Sequence, residues 1–266
     1  FAGFNPAQAS DPNFNPFDSG EALREPIFYG GESAYIFQYR ELARKKYAGD
    51  DVWLKEHKGF PIAQAVDVVH AVSRLQDKKI MATVRALREK NPDEWTVLPG
   101  FAFSAVEVAQ EAHLDVDIVQ RVIDAFALPV GDKNDRFNAL NDFNVANAFP
   151  LLRKGGNEFV LFHQYGLAEA LYEAPFYWMA ADKDYATSSM INRGRFTEDF
   201  SNERLAKVFG KEKIFANVDI VDAKGNKAGE VDGLVVFGNR AIVLQAKSKR
   251  LTLEARRGNE GRIRDD

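Results

Sequence analysis

The run from Val231 to Ala246 leaves this chain few ways to fold. Val231-Asp-Gly-Leu-Val-Val-Phe237 is apolar at most positions, Gly238-Asn239 follows, and Ala241-Ile-Val-Leu-Gln-Ala246 is apolar again. Gly-Asn is a turn sequence because both residues tolerate positive φ, so the two runs are expected to form a tight antiparallel hairpin. A two-residue turn also sets the register. Phe237 opposite Arg240 puts Asp232 opposite Gln245 and Glu230 opposite Lys247. Side chains alternate along a strand, so all four share one face. Polar groups gathered at one end of otherwise apolar strands mark a candidate site, although a plain Glu230–Lys247 ion pair would also account for two of them. Strands this apolar are expected to be covered on both faces.

What precedes the hairpin adds to it. Gly194-Arg-Phe-Thr-Glu198 opens a helical run with Phe200, Leu205, Val208 and Phe209 along it, ending at Gly210. A first strand follows through Phe215, Val218, Ile220 and Val221, closed by the turn Asp222-Ala-Lys-Gly225-Asn226. The order is helix, strand, strand, strand, with Glu198 on the helix, Asp232 on the second strand and Gln245-Ala-Lys247 on the third.

This arrangement resembles the PD-(D/E)XK nuclease superfamily. More narrowly, it is similar to the Mrr-type restriction and nuclease-related branches, in which Gln often replaces the acid before x-Lys. The resemblance spans Gly194 to Asp266, and it implies a role for each matching position. Asp232 is the principal metal carboxylate. Gln245 stands where the family has its second acid, and the Ala246 backbone carbonyl completes the inner shell. Lys247 orients the attacking water or stabilises the charged phosphate, and Glu198 approaches from the helix. Glu203 and Glu230 are alternative acids. The implied cofactor is Mg2+, with Mn2+ able to substitute, since hard cations take oxygen ligands. Replacing an acid by Gln removes one negative charge, so weaker metal binding is expected unless Glu198 or Glu230 compensates. Lys249, Arg250, Arg256 and Arg257, with Arg262 and Arg264 beyond, would meet the nucleic-acid backbone, although such charge runs are more often solvated faces.

The implied activity is a Mg2+-dependent endodeoxyribonuclease hydrolysing DNA phosphodiester bonds, in the family's context of defence against foreign DNA. The alternative is a catalytically inactive nuclease-like module that binds nucleic acid or protein within a larger assembly. The family core continues past the Gln-x-Lys strand with a further helix and strand. Leu251 to Asp266 has length for only part of that helix, so a C-terminally incomplete core is expected.

The rest of the chain reads as helical. Phe1 to Gly20 is an irregular arm in which Asn5-Pro6, Asp11-Pro12 and Asn15-Pro16 block helix and four phenylalanines seek a surface. From Glu32 to Glu89 the periodicity is helical in segments, with a start at Pro61 and an end at Asn91-Pro92. Ser104-Ala-Val-Glu107 is a capping box. Ala109, Leu114, Val119 and Val122 then match a helix-turn-helix spacing, with His113 where that motif usually has Gly. Phe149-Pro-Leu-Leu152 and Phe159-Val-Leu-Phe162 read as a hairpin around Gly155-Gly156-Asn157. Residues 101–165 thus resemble a winged-helix domain. Its second helix presents Asp115 and Asp117, which argues against DNA reading and for a protein-contact or structural role. Tyr172 to Trp178 is expected to pack internally, and the polar stretch Asp182 to Asn192 to be a linker.

The expected fold is therefore α+β, with a helical N-terminal region containing a winged-helix-like subdomain before a partial restriction-endonuclease-like αβββ core. The expected segments are residues 1–100, arm and helices; 101–190, winged-helix-like subdomain and linker; and 194–266, nuclease-like domain. The 266 residues contain no cysteine, which excludes disulfides, thiol catalysis and cysteine zinc sites. No run of about 18 apolar residues suggests a membrane span, and a cytoplasmic protein is expected. Residues from Gly194 onward carry about three more basic than acidic side chains, leaving roughly −7 on the remainder of a chain of net charge −4. One part is thus suited to phosphate, while the acidic part suits a protein partner or self-association. Phosphate-binding loop, dinucleotide and His-Glu-x-x-His motifs are absent.

Overall fold

The computed structural model describes residues 34–265 apart from Leu140, Gly156, Lys249 and Arg250. The expected arm, and two of the four expected backbone-contacting cations, lie outside the described residues. The fold is α+β, with helices and two three-stranded antiparallel sheets. Among the described residues no helix is long and apolar enough to cross a membrane.

Contacts divide the chain into two units. One takes Ala63–Glu173 with the stretches before Leu42 and after Arg250. The other takes Leu42–Ile62 and Ala174–Arg250. The units interleave in sequence, where three consecutive segments are expected. The reason is visible in the second unit, whose early helices bond to its later ones: Trp53 Nε1 donates to Asp182 at 2.7 Å, and Phe176 N donates to the Tyr47 hydroxyl at 3.2 Å.

The first unit is built on α3 (Ile62–Leu87), one continuous helix beginning directly after Pro61 where two segments are expected. α1 (Ile36–Tyr47) and α2 (Asp51–Lys58) precede it. A single turn, α4 (Leu98–Phe101), leads into β1 (Ala102–Ser104). Gly100 in that turn lies so close to α3 that a Cβ would sit 2.8 Å from the Ile80 Cα. α5 (Ala105–Ala112) starts with the expected capping box: Glu107 N donates to Ser104 Oγ at 3.3 Å, and Ser104 N donates to the Glu107 carboxylate at 2.8 Å. α5 ends at His113 with φ 54°, the left-handed conformation that makes Gly the usual residue there. α6 (Val116–Phe126) buries Val119 and Val122, as its spacing predicts. A long connection reaches β2 (Leu152–Gly155) and β3 (Glu158–Val160), and the sheet order is β1-β3-β2. Phe103, Phe126, Phe159 and Leu161 are buried with Val66, Val69 and Val72 of α3.

The aromatic stretch from Tyr172 lies in α7 (Gln164–Ala180), which carries Pro175 inside it. The expected linker is instead the first turns of α8 (Ala186–Phe209). It is held by buried Asp50, whose Oδ1 accepts from Tyr185 Oη at 2.8 Å and Asn192 Nδ2 at 2.6 Å. Those bonds satisfy polar side chains that a mobile linker would leave to water. The second sheet follows: β4 (Ile214–Val221), β5 (Lys227–Phe237) and β6 (Arg240–Leu244), in that order. After it come the short helices α9 (Leu253–Arg256) and α10 (Glu260–Asp265), which belong to the first unit.

Candidate functional site

The hairpin forms in the expected register. Phe237 pairs with Arg240 and the ladder continues to Gly233–Leu244, with Gly238 in the turn at φ 61°. It stops there, one residue short of the site, because β6 ends at Leu244. Gln245 and Lys247 therefore leave the sheet without pairing opposite Asp232 and Glu230. The Asp232 carboxylate instead reaches across the end of the ladder, where Ala246 N donates to its Oδ2 at 2.6 Å. The strand acid and the Gln-x-Lys segment are thus in direct contact, through backbone where facing side chains are expected.

Glu230 does not pair with Lys247. Its carboxylate accepts from Lys227 Nζ at 2.6 Å, and the same ammonium lies 2.6 Å from Asp219 Oδ1, the carboxylate of the residue opposite Glu230 in the β4–β5 ladder. These hydrogen bonds push the Lys227 pKa well up. Lys227 is closer in sequence and wholly within the sheet, so it takes the acid that the extrapolated register assigns to Lys247. Glu203 is likewise committed. Lys45 and Lys207 each approach it at 3.0 Å, and their hydrogen bonds hold its carboxyl down at about 2. Arg257 donates to Asn141 O at 3.0 Å and to Asp142 at 3.1 Å within the first unit, and pairs with Glu254 at 2.6 Å. Its guanidinium is engaged by protein oxygens where contact with phosphate is expected. Arg256 lies on α9 in the same unit.

α8 packs along β5 in the same direction. Asn202 Nδ2 donates to the Asp232 carbonyl at 3.0 Å, and further on the Phe209 ring meets the Phe237 ring at 5.9 Å. Glu198 is one turn before Asn202, roughly 6 Å back along the axis, on the same stripe of the helix. It therefore lies toward the Glu230–Asp232 end of β5 and is half-buried. Among the described residues, Glu198, Gln245 and Lys247 have no side-chain hydrogen bond or ion-pair partner. Val231, Gly233 and Val235 face α8, so the Asp232 side chain projects to the other face of β5. Glu198 on α8 is not brought beside it, and the open groups next to the Asp232–Ala246 contact are Gln245 and Lys247. Oxygen donors suit Mg2+, so the donor chemistry fits the implied ion. Yet among the described residues no group of three or more His, Asp or Glu side chains gathers to hold a metal. Any such site leans on the Gln245 amide and backbone carbonyls beside the carboxylates.

Two residues at the site are not evident from the spacing of its acids. Asn202 is one. The other is Asn217, in β4 with φ 53°. The ladder passes from Ala216–Gly233 to Val218–Val231, so Asn217 falls across from Asp232 without a regular pair. Asn is among the few residues that tolerate this left-handed conformation, which is the one signal in the sequence that could have marked it.

No protein-family model, curated protein or solved structure matches the chain at a significant level.

Proposed function

We propose that the second unit is a nuclease-like module whose site is centred on Asp232 and the Gln245-Ala246-Lys247 segment, and that it hydrolyses DNA phosphodiester bonds with Mg2+. The observation that carries this reading is the contact between the Asp232 carboxylate and the Ala246 amide, which joins the strand acid to the segment bearing the lysine. Asp232, Gln245 and the Ala246 carbonyl would hold the ion, with Glu198, on the α8 side of β5, approaching only through water. When bound, it would neutralise the scissile phosphate and acidify a water. Lys247, exposed and without an acidic partner among the described residues, is free to meet a phosphate and to stabilise charge developing on it. The hydrogen bond from Ala246 N keeps one Asp232 oxygen turned to the backbone and leaves the other for the ion. The first unit, with a strand, two helices and a hairpin in the order β1-α5-α6-β2-β3, is read as a winged-helix-like subdomain that regulates or recruits. Its second helix opens with Asp115 and Asp117, which disfavour phosphate.

Cleavage of a supercoiled plasmid with Mg2+ tests the proposal. The wild-type chain should nick it. Asp232→Ala and Lys247→Ala should each lose activity by about 100-fold or more, the scale of losing a main electrostatic group. Equal cleavage by all three would refute it. A second reading, a non-catalytic nucleic-acid-binding module, is favoured by the lack of a three-acid cluster among the described residues. Its signature is salt-sensitive DNA binding with no Mg2+-dependent turnover.

A further inference from the structure

The side chain that ties α8 to β5 is Asn202, and its bonding is lopsided. Its Nδ2 donates to the Asp232 carbonyl at 3.0 Å. Its Oδ1 is buried and accepts no hydrogen bond. A carbonyl can only accept, so the amide orientation follows from this contact. The unpartnered oxygen lies against β5 at the next residue: a Cβ on Gly233 would come within 2.5 Å of it. Gly233 is also the last β5 residue paired to β6, opposite Leu244. The amide is therefore seated in a notch that only glycine leaves open, at the point where the β5–β6 ladder ends and the Asp232–Ala246 contact takes over.

A buried acceptor without a donor is costly, and an apolar side chain of similar size would avoid that cost. Purely structural packing would thus not favour Asn here. What Asn supplies and an apolar residue does not is a directional bond to the main chain of Asp232. Asn202 thus holds the Asp232 main chain from the α8 side, while the Asp232 carboxylate meets Ala246 N at the ladder end.

We infer that Asn202, seated against Gly233, is a positioning residue that registers Asp232 against the Ala246 amide. Its consequence for metal binding rests on the nuclease reading above. Its consequence for the strand does not.

The test uses the full chain with Asn202→Leu, Asn202→Asp and Gly233→Ala. Leu keeps the volume and removes the unsatisfied acceptor. Asp is isosteric but, when ionised, has no donor. Gly233→Ala displaces the amide from the strand side. Hydrogen–deuterium exchange of metal-free protein over residues 231–246 should rise in all three variants, while Asn202→Leu unfolds thermally no earlier than wild type. Calorimetric Mg2+ affinity should weaken about ten-fold, the scale of losing a group behind a metal ligand. Unchanged exchange overturns the inference. Raised exchange with unchanged Mg2+ affinity also overturns it, leaving Asn202 a strand anchor only. If wild type and Asp232→Ala titrate alike, the nuclease reading itself has failed, and the metal part of the inference goes with it for that separate reason.

Discussion

The two three-stranded sheets of this molecule have the same number of strands and opposite characters. The sheet of β1, β3 and β2 is short, yet Ala102, Phe103 and Phe159 are all buried in it. The sheet of β4, β5 and β6 is longer and more apolar in sequence, yet only Val231, Gly233 and Val235 of its strand residues are buried. Those three alternate on the face that meets α8. On the opposite face Phe215 is 48% exposed and Val243 63%, and Asp232 lies half-buried among them. The difference teaches that apolarity at most strand positions does not measure burial. The first sheet is held by its core. The second is held by one helix and by polar contacts at its ladder end, where the candidate site lies.

The largest effect that could break this contrast is in the core. Phe159→Ala should cost about 3–5 kcal/mol, as buried Phe truncations do, whereas Val243→Ala on the open face should cost less than about 1 kcal/mol. Chemical denaturation of both variants measures this. Comparable losses would mean that the second sheet is as firmly packed as the first.

Asp50 comes next, because it fixes the start of α8. Asp50→Ala strands the Tyr185 hydroxyl and the Asn192 amide and should cost about 1–3 kcal/mol. Asp50→Asn keeps an acceptor for both and should be neutral or stabilising at pH 7. Burial pushes the Asp50 carboxyl up from 3.8 and, with the Asp50 hydrogen bond as a further cause, pushes the Tyr185 hydroxyl up to about 12. An acid with a raised folded pKa loses stability as pH rises from its unfolded value through its folded one. The advantage of Asp50→Asn in thermal unfolding should therefore shrink as pH falls toward 3.8. A constant advantage would show that Asp50 ionises as readily in the fold as in the unfolded chain.

Asn217 sharpens the contrast at the site itself. Asn217→Val should cost about 1–2 kcal/mol because a branched side chain resists positive φ, and Asn217→Gly should cost little or nothing. Smallest of all is Glu203→Gln, on the exposed face of α8. Its pairing is present above about 4.5 and lost as pH falls through about 2. The variant should be slightly less stable than wild type at pH 7 and indistinguishable from it near pH 2.

Much of the local fold was legible. The Gly238-Asn239 turn set the Phe237–Arg240 register, Ser104 and Glu107 formed their capping box, and Val119 and Val122 faced inward. Each of these rests on a few adjacent residues. What was not legible depends on distant partners. Where β6 ends, one residue before Gln245, follows from the reach of Asp232 to Ala246 N and not from any turn rule. Lys227 took Glu230 from Lys247, and Asp50 turned a polar stretch into the start of α8 across more than a hundred residues. Asn202 was invisible because its role is a bond to backbone, which leaves no pattern of residue types.

The central claim is that Asp232 and the segment 245–247 form one metal-dependent site. Calorimetric titration of Mg2+ into wild type, Asp232→Ala and Lys247→Ala tests it most directly. The account expects the wild type to bind Mg2+, the Asp232 variant to lose that binding, and the Lys247 variant to keep it, since the lysine would serve the phosphate and not the ion. A wild type that takes up no Mg2+, or an Asp232 variant that binds it equally well, would contradict the account.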